Sequence, residues 1–230
     1  MALAGCGGNK KKAPSSAAPV TSSSAVGPKA RVPAHLGALI LDWRPEHRAD
    51  LESAMKSGLV LLHFDTDGIG PVKGCKGPGE YAFSPTQRME TRLHLVTPDE
   101  IKITLPTYGA SIAAKLEPEL KDGAAIDIAI ISVGKMATTW NRLTPKELRG
   151  DCGGATHFLK SAAVGAYAVR TGRKGRSRSV DVIMNKPSGQ GDIVLQGAGS
   201  NAICQKASVI DPEPREGCGF VVGIELQKLE

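Results

Sequence analysis

The sequence predicts an α+β fold with a mainly antiparallel β-sheet, two or three helices and a single disulfide-stapled domain. Three observations support this prediction. Stretches with strand-like alternation cluster in the second half of the chain instead of alternating with helices. The 230 residues suffice for one well-packed domain and a tail. Apart from a cysteine at position 6, the cysteines form an even set.

The first element is a predicted helix over residues 42–58. Pro45 suits the first turn, because its missing N–H would have no partner there, and Gly58 suits the C-terminal end. Leu51 and Met55 would share one face of this helix.

Two strands and a second helix are predicted next. Residues 59–64 are a short apolar run typical of a buried strand, and the Gly- and Pro-rich residues 65–81 are predicted as loop. Residues 89–97 alternate between polar and apolar, which indicates a half-buried strand. Apolar side chains recur every four residues over 108–121, which predicts a helix, and Pro118 disfavours its last turn.

The second half of the chain is predicted to be rich in strands. Residues 124–134 form a strongly apolar strand suited to the centre of a sheet, and residues 144–150 form a short capped helix. Residues 155–169 are predicted as a strand that enters a basic turn at 170–179. Three more strands are predicted over residues 180–184, 192–197 and 218–226.

The cysteines after position 6 predict two disulfides and an oxidising compartment. They are Cys75, Cys152, Cys204 and Cys218. Of the three possible pairings we favour Cys204–Cys218, which would close a Pro-rich loop, together with Cys75–Cys152. A metal site is the competing interpretation, but there is no C-x-x-C pair and the spacings match no zinc pattern. No metal and no cofactor are therefore predicted.

The letters LAGC at positions 3–6 resemble the lipobox of bacterial lipoproteins. The resemblance implies that the thiol of Cys6 receives the lipid and that Cys6 becomes the mature N-terminus. Residues 1–5 would then be the remnant of a signal peptide. Residues 6–30, rich in Pro, Ser and Ala after three lysines, have the composition of a disordered tether. Residues 31–230 would form the α+β envelope domain.

The same resemblance implies a location in the cell envelope. Gly7 follows the cysteine instead of Asp, the best-known signal for retention in the inner membrane, so the outer membrane is favoured. The layout of the chain also resembles secreted lipoproteins of myxobacteria, which implies no particular activity. A competing interpretation is a cytoplasmic protein with a flexible tail and a chance cysteine.

Five basic residues crowd the turn at 170–179, and the net charge of the chain is +6. They are Arg170, Arg173, Lys174, Arg176 and Arg178. Anionic lipid or surface polysaccharide are the predicted partners, and the competing interpretation is a solvated hairpin tip without a partner. Nucleic acid is not expected, because no aromatic side chain is interleaved for base stacking.

The stretch around residues 156–166 resembles the signature of the membrane-attack-complex/perforin family. That signature joins an aromatic-Gly-Thr-His-aromatic run to two glycines after a gap of six residues. The matching residues are Thr156, His157, Phe158 and Gly165. Ala155 replaces the first glycine of the signature, its leading aromatic residue is missing, and Ala166 replaces the second glycine of the pair.

In that family the glycines allow a sharply bent central strand, and flanking segments unfold into membrane-spanning hairpins. The resemblance therefore implies a small membrane-active protein in which residues 156–184 form the working hairpin. The competing interpretation is a packed strand whose histidine has an ordinary structural partner.

No catalytic residue is predicted. The sequence lacks the G-x-S-x-G, H-E-x-x-H and Walker patterns, and its five histidines are scattered. The leading expectation is a lipid-anchored envelope protein with a binding or structural role and an envelope protein as a further partner. A perforin-like protein is the alternative, and a hydrolase with an unrecognised site ranks third.

Overall fold

The computed structural model describes Met1, Val32 and residues 34–65, 68–106, 109–176, 178–185 and 194–230. The predicted lipidation residue Cys6 and residues 6–30 lie outside the described residues. The described part is an α+β fold with a mainly antiparallel sheet, as the sequence predicts.

The described α-helices outnumber the two or three predicted; they are α1 (Pro45–Met55), α2 (Pro98–Thr104), α3 (Gly109–Lys115), α4 (Glu117–Lys121), α5 (Val180–Asn185) and α6 (Asn201–Cys204). The described strands are β1 (Ala38–Leu39), β2 (Leu61–Asp65), β3 (Gly68–Pro71), β4 (Cys75–Lys76), β5 (Ala82–Leu95), β6 (Ala124–Ala137), β7 (Arg149–Gly150), β8 (His157–Arg173), β9 (Val194–Ala198) and β10 (Phe220–Lys228). Single turns of 3-10 helix occur at Ala34–Leu36, Ile40–Asp42 and Pro145–Glu147.

Strand β8 is the centre of the main sheet. Along one side it pairs with β6 over nearly its whole length, and β6 pairs in turn with β5. Along the other side, β10 covers the first half of β8 and β9 covers the second half. The start of β8 also pairs with β2, and β2 pairs in turn with β3. All of these pairings are antiparallel.

Three of the register shifts in the sheet lie along one line across it, here called the bulge line. The register shifts fall between Pro85 and Met89 in β5, between Ser132 and Gly134 in β6, and between Val221 and Gly223 in β10. The shift in β6 lies opposite Val164 and Gly165 of β8, and the shift in β10 lies opposite Ala163 and Val164. The shift in β5 lies opposite Ser132 and Gly134 of β6. Because each bulge bends its own strand, three in a row bend the sheet along this line.

Gly165 is required where β8 crosses the bulge line. A Cβ atom at this position would overlap the backbone carbonyl oxygen of Ile131 in β6. Backbone cannot yield as a flexible side chain can, so a glycine is needed for the two strands to approach this closely.

The two faces of the sheet have separate cores. Ile126, Ile128 and Ile130 of β6 face the core that includes α1 to α4. Ala129 and Ile131 face the opposite core, which includes α5, α6 and the Cys204–Cys218 pair. Successive side chains of a strand point to opposite faces, which explains how one apolar strand serves both cores.

Both predicted disulfides are present. Cys75 and Cys152, with their Cα atoms 4.7 Å apart, join the β4–β7 pair beside a third small core around Phe158. Cys204 and Cys218, with Cα atoms 5.2 Å apart, join the end of α6 to the start of β10. The segment between them, residues 205–217, is called the disulfide loop.

The strand predicted over 180–184 is wrong, because α5 occupies it. Val180 and Ile183, three residues apart, are both buried against the sheet, whereas Val182 is 39% exposed. A short apolar run fits either a helix or a strand by periodicity alone, and packing against β6 decides for the helix. The basic turn is therefore not the tip of a β-hairpin.

Other boundaries also differ from the predictions. The helix predicted over 108–121 is two helices that meet at Leu116, with Pro118 in the first turn of α4, where proline is tolerated. The helix predicted over 144–150 is one 3-10 turn followed by β7. The predicted loop 65–81 contains β3 and β4. Helices α2 and α6 were not predicted.

Replacing Gly165 with alanine should lower the free energy of unfolding by about 1–3 kcal/mol, because the methyl group has no space beside the backbone of β6. Gly153→Ala is the matched control, since a Cβ there meets only the Asp151 carboxylate at 3.7 Å. Urea unfolding of both variants measures the difference. Equal stabilities would show that the strands can move apart at the bulge line.

Candidate binding site

A cleft of about 770 Å³ opens at the bulge line. Its floor is formed by Met136, Val164, Phe220 and Val221, which come from β6, β8 and β10. Its walls are the C-terminal end of α1, the residues leading into β5, and the second half of the disulfide loop. The bend of the sheet and the disulfide loop together therefore create the cavity.

The disulfide loop is held in one conformation by its own polar groups. Arg215 donates from Nε and Nη2 to the carboxylate oxygens of Asp211, at 2.8 and 3.1 Å. The backbone N–H of Ser208 donates to Asp211 Oδ2 at 2.9 Å. This backbone hydrogen bond and the one from Arg215 lower the pKa of Asp211 below its ordinary value. The wall of the cleft is thus organised before any ligand arrives.

Glu52 connects α1 to the bulge line. The backbone N–H of Val221, at the register shift of β10, donates to Glu52 Oε1 at 3.1 Å. Burial raises the pKa of Glu52 above its ordinary value, against the opposing effects of the Val221 hydrogen bond and of Lys56 and Arg48. Glu52 is therefore a partly desolvated carboxylate in the lining of a cleft.

Arg48, one helical turn before Glu52, fixes α1 against the sheet. Its Nη1 donates to the Tyr167 hydroxyl at 2.7 Å and to Gln196 Oε1 at 2.6 Å. Burial raises the pKa of Tyr167, so its hydroxyl stays protonated at neutral pH. These contacts join α1 to β8 and β9 and set the position of Glu52.

The cleft combines apolar surface with carboxylates. Its charged lining residues are Glu52, Lys56, Glu80, Glu213, Arg215 and Glu216. Acidic residues outnumber basic ones here, although the chain as a whole has a net charge of +6. Its larger apolar and aromatic lining residues are Met55, Tyr81, Phe83, Met136, Pro212, Pro214 and Phe220.

The groups around the cleft suit binding. No histidine or cysteine stands in its described lining. The Ser57 hydroxyl donates to the Ala54 carbonyl at 2.9 Å, and the Tyr81 hydroxyl donates to the Leu159 carbonyl at 2.9 Å. Both hydroxyl protons are thus engaged by backbone.

The basic residues predicted as one anionic-surface site are divided by the fold. Arg173, Lys174 and Arg176 are exposed at and beyond the end of β8. Arg170 lies inside β8 and is only 8% exposed, directly opposite Asp127 of β6. Both interpretations of the basic turn require an exposed Arg170, and both are wrong for this residue, because the strand continues past it.

Arg178, the fifth basic residue, belongs to an ion-pair cluster around a buried carboxylate, and the sequence did not predict this cluster. Asp127 is fully buried; its Oδ1 lies 2.6 Å from His94 Nδ1, and its Oδ2 lies 3.6 Å from Arg178 Nε. Gly172 makes room, because a Cβ there would overlap the Asp127 carboxylate. The available signal was the acidic residue within an apolar strand, since a buried charge requires partners.

The four signature residues have structural partners. Thr156 donates its backbone N–H to the Leu62 carbonyl at 2.9 Å, and its Oγ1 lies 2.9 Å from His157 Nδ1. Phe158 is fully buried in the small core beside Cys75–Cys152. Gly165 lies on the bulge line. Thr156 immediately precedes β8, His157 and Phe158 begin it, and Gly165 lies at its middle, so the fold does not bring Gly165 together with the other three.

Wider searches of the described residues add little. They contain no group of three or more His, Cys, Asp or Glu side chains placed to hold a metal ion. No helix in the described ranges is long and apolar enough to cross a membrane. Comparison with protein-family models and with curated proteins gives no match.

Glu52→Gln should stabilise the protein near neutral pH. The raised pKa means that folded Glu52 binds its proton more tightly than unfolded Glu52, so stability falls as pH rises through the folded pKa. Glutamine keeps an acceptor for the Val221 N–H and removes the charge. We expect a higher thermal midpoint at about pH 7 and no difference below about pH 4.

Glu119→Gln is the matched control, because this glutamate is exposed on α4. It should leave the midpoint unchanged across the same pH range. A stabilisation by Glu52→Gln that persists at acid pH would contradict the assignment to desolvation.

Proposed function

We propose that this chain is a lipid-anchored protein of the bacterial cell envelope, favoured on the outer membrane, whose domain binds a partner without catalysing a reaction. The observation that carries the proposal is the preformed cleft, one wall of which is a disulfide-closed and internally bonded loop. Such a loop loses little conformational entropy on binding, which is what a recognition surface requires.

The disulfides support an envelope location. Both fasten segments at the edge of the fold, namely the β4–β7 pair and the disulfide loop. Disulfides of this kind persist in oxidising compartments such as the periplasm and the cell surface. A lipid on Cys6 would hold the domain there, and residues 6–30 would act as the tether.

The exposed basic residues support contact with an anionic surface. Arg173, Lys174 and Arg176 are free of the buried cluster around Asp127, so this part of the proposal rests on three residues instead of five. Their chemistry suits the phosphates of lipid or the acidic groups of surface polysaccharide.

With a complete lipoprotein signal peptide fused ahead of Cys6, Cys6→Ser should release the protein from the membrane fraction of a bacterial host, because a hydroxyl cannot replace the thiol in lipid attachment. Mass spectrometry of the N-terminal peptide should find acyl chains in the parent chain and none in the variant. Ser15→Ala, also in the tether, should leave both results unchanged. An unlipidated parent chain in the soluble fraction would overturn the anchor.

A perforin-like protein is the second candidate, and one observation favours it. The signature residue Gly165 lies where the bulge line bends the sheet, as the family resemblance implies for its bent central strand. Against this candidate, residues 180–185 are helical and packed in a core, and β8 does not alternate cleanly between polar and apolar.

Dye release from anionic liposomes separates the two candidates. With the full chain we expect vesicles that remain intact while protein binds, and binding that weakens in an Arg173→Ser/Lys174→Ser/Arg176→Ser variant at low salt. Release that rises steeply with protein concentration, together with ring-sized oligomers, would replace the binding module with the perforin-like function.

A further inference from the structure

The tip of the disulfide loop exposes two aliphatic side chains. Val209 is 53% exposed and Ile210 is 85% exposed, the highest value for a large apolar residue after Met1 in the described chain. The turn that carries them is fixed, because the Ser208 and Asp211 backbone N–H groups each have a partner within the turn. An apolar pair on a rigid tip is suited to anchoring in a pocket of another molecule.

The tip and the cleft belong to the same loop. Ile210 is followed after one residue by Pro212, the first loop residue that lines the cleft. The exposed tip is therefore next in the chain to one wall of the cleft.

The cleft lining is acidic, whereas the chain as a whole has a net positive charge. Arg215 is bound to Asp211 through two hydrogen bonds, so its charge is largely compensated within the loop. The lining then has Lys56 as its main remaining cation. Its acidic residues are the glutamates at 52, 80, 213 and 216. Acidic surface on a basic protein selects for positively charged ligands and disfavours an anionic bilayer.

Glu52 lies deepest among these carboxylates. Burial raises its pKa despite the hydrogen bond from the Val221 N–H and the charges of Lys56 and Arg48. A ligand cation placed here would offset the desolvation of the carboxylate. Beside it, Tyr81, Phe83 and Phe220 offer rings on which the aliphatic stem of a lysine or arginine can pack.

We propose that the cleft and the Val209–Ile210 tip form one docking surface for a basic, apolar-flanked segment of a partner protein. Cationic side chains of the partner approach Glu52, and the tip enters an apolar pocket of the partner. This inference rests on the proposed binding function and specifies the class of partner.

Peptide binding to the full chain tests the proposal. Three fluorescein-labelled probes of about eight residues are compared by anisotropy, with lysine alternating with leucine, glutamate with leucine, and lysine with serine. The lysine–leucine probe should bind roughly tenfold more tightly than either of the others. Its affinity should fall when salt is raised, since charge attraction contributes.

Two pairs of variants locate the binding. Glu52→Gln and Ile210→Ser should each weaken binding of the lysine–leucine probe by roughly fivefold or more. Glu119→Gln and Ile103→Ser are the matched controls, because Glu119 and the 65% exposed Ile103 lie on helices that do not line the cleft. A cooperative thermal transition in each of the four variants shows that it folds.

The outcomes that overturn the inference differ from those that overturn the proposed function. Equal binding of the glutamate–leucine and lysine–leucine probes, with both sensitive to Ile210→Ser, would overturn the basic partner and keep a binding module. Equal weakening by the control variants, or no binding by any probe, would overturn the docking surface. Lipid on Cys6 and retention in the membrane fraction decide the envelope anchor separately.

Discussion

The close contact between β6 and β8 at Gly165 is the constraint on which the rest of the structure depends. No side chain fits there, since its first atom would overlap the Ile131 carbonyl. The strands on either side absorb the irregularity through shifts at Ser132–Gly134 and Val221–Gly223, so the sheet bends along one line. The bend gives the cleft its floor, and one N–H at the bend is satisfied by Glu52. A feature of the backbone thus determines where a ligand could bind.

The sheet packs against a core on each of its two faces. This arrangement explains the positions of the basic residues at 170–178. Over residues 124–131, strand β6 is apolar on both faces except at Asp127, which is fully buried. A buried carboxylate is stable only with partners, and His94 and Arg178 provide them while Arg170 lies opposite in β8. Arg170 and Arg178, two of the five clustered basic residues, therefore lie beside this buried carboxylate. The other three remain at the surface, where an anionic partner can reach them.

The disulfide loop connects this architecture to the proposed function. The Cys204–Cys218 bond fixes both ends of the loop, and the Asp211–Arg215 pair fixes its middle. The inner side of the loop closes the cleft, and its outer tip exposes Ile210. Exposed aliphatic side chains normally favour burial, so their presence on a rigid element is consistent with a partner surface. The acidic lining of the cleft specifies the charge of that partner.

The sequence by itself determined the antiparallel α+β class and the helix around Pro45, because both depend on local periodicity, and it favoured the observed cysteine pairing among three possible ones. Only the tertiary structure decided that residues 180–185 are helical, since their apolar pattern fits both periodicities until β6 buries one face. The cleft could not be predicted, because its lining comes from segments far apart in the chain. The ion pairs of Asp127 likewise depend on cross-strand register, which alternation alone does not specify.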